Sequence, residues 1–433
     1  MSRAPQTFDT GRETAVALDR ADSLRAYRDE FVFPQAEDGP ALVYLCGNSL
    51  GLEPKRALHY VREELEDWGR FGVEGHFRAR RPWLPYHRLA TPGLATLCGA
   101  LPTEVVAMNS LTVNLHLGLT AFYRPTRARF GILIESTAFP SDRFAAESQI
   151  RLHGFDPADA LLEWAPRPGD SLLRMDDLKE LLQAEGERIA LMLLPGVQYY
   201  NGQVLDMAAL CRLARRHGVT IALDLAHAVG NVPLSLHDWS PDFAVWCSYK
   251  YLNGGPGAIA GMFVPERHTS GDAPAHLCGW WGNREESRFR MAADFDAARG
   301  IESWQLSNPP ILSLAPVVAS LELFDAAGML ALAQKSRGLT GYLDFLLQHR
   351  LPDRICSITP ADARGCQLSL RVEGSGLDPR QVFRRLEALN VVIDWREPDV
   401  IRVAPVPLYN TYEDVYEFVQ RLEAAIDGAS IRT

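Results

Sequence analysis

Asp224 closes the apolar run VTIALD, and Lys250 follows the next run, DFAVWC, through Ser248 and Tyr249. His227 stands three residues beyond the acid, and Asn253-Gly-Gly-Pro-Gly257 follows the lysine. Singly, each residue has an ordinary reading: a strand-terminal Asp caps the next helix, and a strand-end lysine is a solvated surface group. Together they are the two fixed points of a pyridoxal phosphate (PLP) site. The lysine must attack an aldehyde as the free amine, which burial near apolar or cationic groups favours by lowering its pKa. The carboxylate must keep a pyridine nitrogen protonated so that the ring accepts electrons from a substrate. A charge-assisted bond of that kind is worth about 1.5–3 kcal/mol. Glycines after the lysine let the backbone pass close to a cofactor. They are not a dinucleotide fingerprint, because proline stands where a helix would begin.

The elements that must position this pair read as an α/β fold. Apolar runs at 131–135, 189–194, 219–224, 243–247 and 259–264 predict strands. Between the second and third, Met207, Leu210, Cys211 and Ala214 form a helical stripe over 206–217. Fully apolar strands alternating with amphipathic helices imply a mostly parallel sheet covered on both faces, with ligands beyond the strands' carboxyl ends. Upstream, Leu58, Val61, Leu65 and Trp68 fall at spacings of 3, 4 and 3 after Pro54, one face of a helix. The last stretch differs: Leu368, Leu370 and Val372 alternate, Asp378-Pro379 opens a helix, 391–393 and 400–403 read as strands, and Thr411 caps a helix bearing Val415, Phe418, Leu422 and Ile426. The expected organisation is an N-terminal arm (1–48) packing with the small domain, a large cofactor-binding domain (49–310) and a small α+β domain (311–433).

Composition narrows the function classes. The 433 residues carry 44 Lys+Arg against 54 Asp+Glu, a formal charge of −10, which argues against a nucleic-acid surface. The local basic cluster Arg78-Ala-Arg-Arg81 is not extended. No run of 18 apolar residues predicts a membrane span, and the opening MSRAPQTFDTGRET has no hydrophobic signal core, so a cytoplasmic location is expected. The seven cysteines are scattered with no C-x-x-C pair, which predicts neither disulfides nor a zinc cage. His116, His153, His217 and His237 lack ligand spacing, so no metal is assigned.

Asp-x-x-His and Ser-x-Lys on successive strands resemble the class V branch of the fold-type I PLP enzymes. An ordered set of stretches sharpens this into a resemblance to the kynureninase family. They are Leu45-Cys-Gly-Asn-Ser-Leu-Gly-Leu52, Arg81-Pro-Trp83, Asn109-Ser-Leu-Thr-Val-Asn-Leu-His116, Phe139-Pro-Ser-Asp142, Phe144-Ala-Ala-Glu-Ser-Gln149, Leu152-His-Gly154, 224–238, 246–253, Ser307-Asn-Pro-Pro310 and Arg402-Val-Ala-Pro-Val-Pro-Leu-Tyr-Asn410.

The resemblance implies a large domain with a mostly parallel seven-stranded sheet and a smaller α+β domain. It implies that Lys250 tethers PLP, Asp224 faces the pyridinium nitrogen and His227 lies beside that acid. Phe139 stacks on the ring, with Pro140, Ser141 and Asp142 completing the loop, and Leu111 and Thr112 hold the phosphate. Tyr249 touches the phosphate and moves protons. Trp280 and Asn308 match positions that reach the site from the other subunit of a homodimer. Arg402 grips the substrate's α-carboxylate by its planar fork. Ser49, His76 and Asn308 line the aromatic pocket. Thr112 and Ser141 also suit helix caps, and His76 also suits a surface imidazole.

The implied reaction is cleavage of L-kynurenine between Cβ and Cγ to anthranilate and L-alanine, in tryptophan catabolism and the kynurenine pathway that feeds NAD biosynthesis. Two positions depart from the family pattern. Pro195 stands where some relatives present a hydroxyl. Asn283 replaces a histidine and leaves open the choice between kynurenine and 3-hydroxykynurenine, whose product is 3-hydroxyanthranilate. The alternative readings are a cysteine desulfurase or selenocysteine lyase, which needs a reactive thiol at Cys356 or Cys366, and a non-catalytic PLP-binding regulator.

Overall fold

The computed structural model describes residues 8–37, 41–270 and 274–428. The first seven residues of the expected arm lie outside them. Seven strands form the central sheet: β1 (Val105–Ala107), β2 (Gly131–Glu135), β3 (Leu161–Trp164), β4 (Ile189–Pro195), β5 (Thr220–Asp224), β6 (Phe243–Trp246) and β7 (Gly261–Phe263). Their order is β1-β7-β6-β5-β4-β2-β3. Neighbours from β3 through to β6 pair in parallel, while β7 runs antiparallel to both β6 and β1.

All five residues of β2 and all four of β6 are buried, as strands covered on both faces must be. The helix Met207–Arg216 buries Met207, Leu210, Cys211, Leu213 and Ala214 against the sheet, and Asp206 caps it by accepting from the Ala209 amide at 2.8 Å. Two further helices start at the strands' carboxyl ends: α1 (Leu111–Phe122) and α2 (Pro140–Leu152). β1 and β3 escaped the sequence reading. One is three residues long, and the other lies at the sheet edge with Glu163 exposed.

The helix Lys55–Phe71 forms as its spacing predicts but faces the other way. Leu58, Leu65 and Trp68 are 56%, 45% and 62% exposed. The buried face holds Ala57, Glu64 and Asp67. There the Glu64 carboxylate accepts from Arg81 Nε at 2.7 Å, Trp83 Nε1 at 2.9 Å and the Tyr86 hydroxyl at 3.0 Å. A buried acid with three donors is stable where an unpaired one is not, so polar bonding orients this helix and its apolar stripe is left outside.

A second, antiparallel sheet contains β8 (Ile355–Ser357), β9 (Leu368–Val372), β10 (Asp394–Arg396) and β11 (Val400–Val403), in the order β8-β9-β11-β10. Asp378 caps the helix Pro379–Ala388 through the Arg380 amide at 3.0 Å. Thr411 and Asp414 form a capping box on the helix Tyr412–Asp427, which buries Val415, Phe418, Leu422 and Ile426. The N-terminal helix Arg12–Ala21 is tied to that last helix: Asp19 accepts from the amides of Tyr412 and Glu413 at 2.8 and 3.0 Å. Val43–Tyr44 pairs in parallel with Val391–Val392.

Candidate active site

The carboxyl ends of β2, β4 and β5 open into a cavity. Glu135, Pro195 and Asp224, the last residues of those strands, form part of its wall. Leu111 and Thr112 enter from the first turn of α1, Ser141 and Asp142 from the first turn of α2, and Tyr249 and Lys250 from the loop after β6.

Lys250 is fixed by its own loop. The Asn253 amide donates to the Lys250 carbonyl at 3.0 Å, the Gly254 amide to Ser248 at 2.8 Å, and the Gly51 amide to Tyr249 at 2.9 Å. Asn253 takes φ 51°, a left-handed conformation that Asn tolerates better than most residues. The Lys250 Nζ lies 2.9 Å from His227 Nε2, 6.0 Å from the Phe139 ring centroid and 5.9 Å from that of Tyr249. Burial, with the charges of Lys250 and Arg402, holds the His227 imidazole well below its ordinary pKa, so the ring is neutral and Nε2 accepts from the lysine.

Asp224 Oδ1 accepts from the Ala226 amide at 2.7 Å, within a turn and not at the helix start that its sequence position also allowed, and the side chain lines the cavity. Asp142 is buried beside it, and burial followed by the Asp224 charge pushes its carboxyl well above the usual range. Glu135 joins them: burial pushes it up to about 7, against hydrogen bonds from Gln198 Nε2 (3.2 Å) and Thr137 Oγ1 (3.4 Å). Burial, then Cys247, also raises the Tyr249 phenol, which stays protonated at neutral pH.

These residues fit PLP. His227 Nδ1 and Asp142 Oδ1 are buried with no hydrogen-bond partner among the described residues. Phe139, Ala138, Leu193, Val197 and Ala226 give the cavity an apolar wall for a ring. At the other end the N-termini of α1 and α2 meet, with Thr112 Oγ1 2.9 Å from Ser141 Oγ, and Ser110 makes no side-chain cap to the first turn of α1. Converging helix N-termini and hydroxyls suit a phosphate. Pro195 lines the cavity and offers no hydroxyl there.

Arg402 is buried on β11. It donates from NH1 to the Tyr199 carbonyl at 2.7 Å and from NH2 to Ser49 Oγ at 3.4 Å, and Tyr199 is part of the cavity wall. Pro140 opens α2 as its first residue. The remaining expected residues are not brought to the cavity of their own chain. His76 sits in the short helix Gly75–Arg78, with Nδ1 2.9 Å from the Val73 carbonyl and its ring edge-on to Trp83. Trp280 is 45% exposed and donates to the Arg288 carbonyl. Asn308 is exposed just before the helix Ile311–Ala327. Asn283 turns its amide to the Trp280 carbonyl at 3.0 Å.

Sequence reasoning passed over Glu135, Gln198, Tyr199, Asp394 and Arg396. Glu135 had the same signal as Asp224, an acid ending an apolar strand. The thiols of the sulfur-chemistry alternative are unsuited to it. Cys356 lies on β8 with its pKa raised by burial, and Cys366 is buried with its thiol pushed up to about 12.

Residues 332–422 match the family model described as the kynureninase C-terminal domain. A protein named kynureninase from Myxococcus xanthus (strain DK1622) is 53% identical over 422 residues, covering 97% of this chain and 98% of the relative. Kynureninase from Xanthomonas campestris pv. campestris (strain B100) is 54% identical over 419 residues, covering 96% and 98%. That from Koribacter versatilis (strain Ellin345) is 51% identical over 426 residues, covering 98% and 100%. Among solved structures, the cysteine desulfurase CsdA from Escherichia coli superposes with a TM-score of 0.75 at 18% identity, over 94% of this chain and 99% of that one. A mutant of C-DES with glycine covalently linked to its PLP cofactor gives 0.73 at 18% identity, over 88% and 96%. At such identities these structures speak to the fold alone.

Proposed function

The chain belongs to the kynureninase family, and from that premise we propose how its own residues divide the work of the family's reaction. It is a PLP-dependent hydrolase that cleaves L-kynurenine between Cβ and Cγ, giving anthranilate and L-alanine. PLP supplies an aldehyde that captures the substrate's amino group and a protonated ring that draws electrons from Cα.

Lys250 anchors the cofactor and, once released, carries the proton to and from Cα. The neutral His227 accepts a hydrogen bond from Lys250 Nζ and holds the amine over the cavity. Asp224, with Asp142 beside it, keeps the proton at the ring nitrogen. Phe139 covers the ring face, and Leu111, Thr112 and Ser141 hold the phosphate in the cleft between two helix starts. Pro140 sets the start of the second of these. Water adds to the γ-carbonyl, and Tyr249, a protonated phenol, delivers a proton at Cβ as the hydrated acyl group departs as anthranilate's carboxyl; general acid help of this kind is worth about 10²–10⁴-fold. Arg402 binds the α-carboxylate, with Ser49 beside it.

The observation that carries this reading is the convergence of Lys250, His227, Asp142 and Asp224 in one cavity beyond the strands' carboxyl ends. The test is anthranilate release from L-kynurenine by the PLP-loaded protein, which Lys250→Ala should abolish; turnover at the parental rate in that variant would refute the role of Lys250.

Trp280 and Asn308 act from the partner in a homodimer with shared sites. Support comes from their exposure on their own chain and from the outward apolar stripe Leu58, Leu65 and Trp68 beside the exposed Leu312. Mixing Lys250→Ala with Asn308→Ala protomers should then restore part of the activity lost in each. The same reading places the enzyme in the cytoplasm, in keeping with free cysteines throughout the described residues, and assigns its reaction to tryptophan catabolism and NAD biosynthesis, in keeping with the names of its relatives.

A further inference from the structure

Beyond the cavity, one carboxylate gathers three groups of the proposed substrate pocket. Asp394, on β10, is 8% exposed at its side chain. Its Oδ2 accepts from Arg402 NH2 at 2.5 Å, from Arg396 NH2 at 3.0 Å and from the Ser49 hydroxyl. The register of the second sheet builds this arrangement: Asp394 lies directly opposite Arg402 across the β10–β11 pair, so the acid and the arginine share a face. The Arg402 side chain is 1% exposed and its Nε has no partner among the described residues, so its orientation depends on the acid and on the Tyr199 carbonyl. Two guanidinium charges thus share one carboxylate in a poorly solvated place, where uncompensated charge is costly.

We propose that Asp394 is the positioning residue of the carboxylate pocket, holding Arg402 and Ser49 in place and, through Arg396, leaving one uncompensated positive charge to receive the substrate's single α-carboxylate. The inference rests on the reading that Arg402 binds that carboxylate. Asp394 touches neither substrate nor cofactor; it acts through the arginines.

The test uses the PLP-loaded full chain and reads KM and kcat for L-kynurenine, the cofactor dissociation constant and inhibition by chloride. Asp394→Asn leaves two guanidiniums facing the pocket. Its KM should rise about tenfold or more, the loss should fall on KM more than on kcat, and chloride should become a competitive inhibitor. Adding Arg396→Gln to Asp394→Asn restores the single net charge and should remove most of the chloride inhibition. An Asp394→Asn enzyme with parental KM and parental chloride response would overturn the proposal. Should that variant fail to fold, Arg396→Gln alone decides, since its side chain is 35% exposed. It leaves Asp394 to neutralise Arg402, so KM should rise about threefold or more, and an unchanged KM would overturn the proposal. Arg402→Lys separates the two levels. Parental KM in that variant contradicts the role of Arg402 itself. Raised KM there, beside unchanged Asp394→Asn and Arg396→Gln, overturns the role of Asp394 alone.

Discussion

The Lys250 amine lies 2.9 Å from Nε2 of His227, and the imidazole facing it is neutral because burial and the lysine's own charge oppose its protonation. The half-buried amine without that acceptor would lose a hydrogen bond with charge on one side, worth about 1.5–3 kcal/mol. His227 also lines the cavity with an unpartnered Nδ1, so His227→Leu should weaken PLP retention by roughly tenfold or more, read by titrating the cofactor-free variant with PLP. The substitution should also change acid stability. The unfolded imidazole takes up a proton below about pH 6.5, and the folded one does not, so stability falls as pH drops through that value. His227→Leu should lose this slope in urea titrations; a variant with the parental slope would show that another group sets it.

Glu135 contributes a slope of the opposite sign. Its carboxyl, ordinarily near 4.5, is pushed up to about 7 by burial. Between those values the folded chain keeps a proton that the unfolded chain has released, so stability falls as pH rises through the window. Glu135→Gln keeps an acceptor for Gln198 and removes the titration. In the cofactor-free protein it should gain stability over the parent at pH 7, by roughly 3 kcal/mol at most, with the difference shrinking toward pH 4.5. Equal stability differences at the two pH values would contradict the assignment.

Arg402 offers a planar fork to a carboxylate, and its NH1 is already committed to the Tyr199 carbonyl at 2.7 Å. Arg402→Lys keeps the charge and loses the fork. KM for L-kynurenine should rise about tenfold or more while the PLP dissociation constant stays parental. A matching loss of cofactor affinity would place Arg402 in the cofactor site instead.

Gly51 is packed against the backbone of the Lys250 loop. A Cβ there would sit 2.3 Å from the Lys250 carbonyl oxygen and 2.9 Å from Asn253 Cα. Backbone atoms do not yield cheaply, so Gly51→Ala should destabilise the fold by about 1–3 kcal/mol and lower PLP affinity by shifting the Lys250 loop. A Gly51→Ala protein with parental melting temperature and cofactor affinity would contradict this packing.

Asp224 and Lys250 could be picked out together because one ends an apolar strand and the other follows the next through a short loop, so both fall at the strands' carboxyl ends, where ligands of such sheets bind. Five of the seven strands were visible because burial on both faces leaves an unbroken apolar run. What stayed hidden depends on pairing and orientation. Glu135 ends β2 as Asp224 ends β5, but only the folded sheet shows that both open into one cavity. Asp394 occupies a three-residue strand whose partner, Arg402, is set by register across a turn. The stripe Leu58, Leu65 and Trp68 was legible as a period, yet its direction was decided by Glu64 and its three donors. Periodicity says that a helix has a face, and only its neighbours say which face turns inward.

The claim on which the rest depends is the tether of the cofactor at Lys250, and borohydride reduction of the PLP-loaded protein followed by peptide mass mapping tests it most directly. We expect the reduced cofactor's mass on the peptide containing Lys250 and on no other, and no retained mass in Lys250→Ala. The label on a different lysine, or equal labelling of the Lys250→Ala variant, would contradict the site described for this chain.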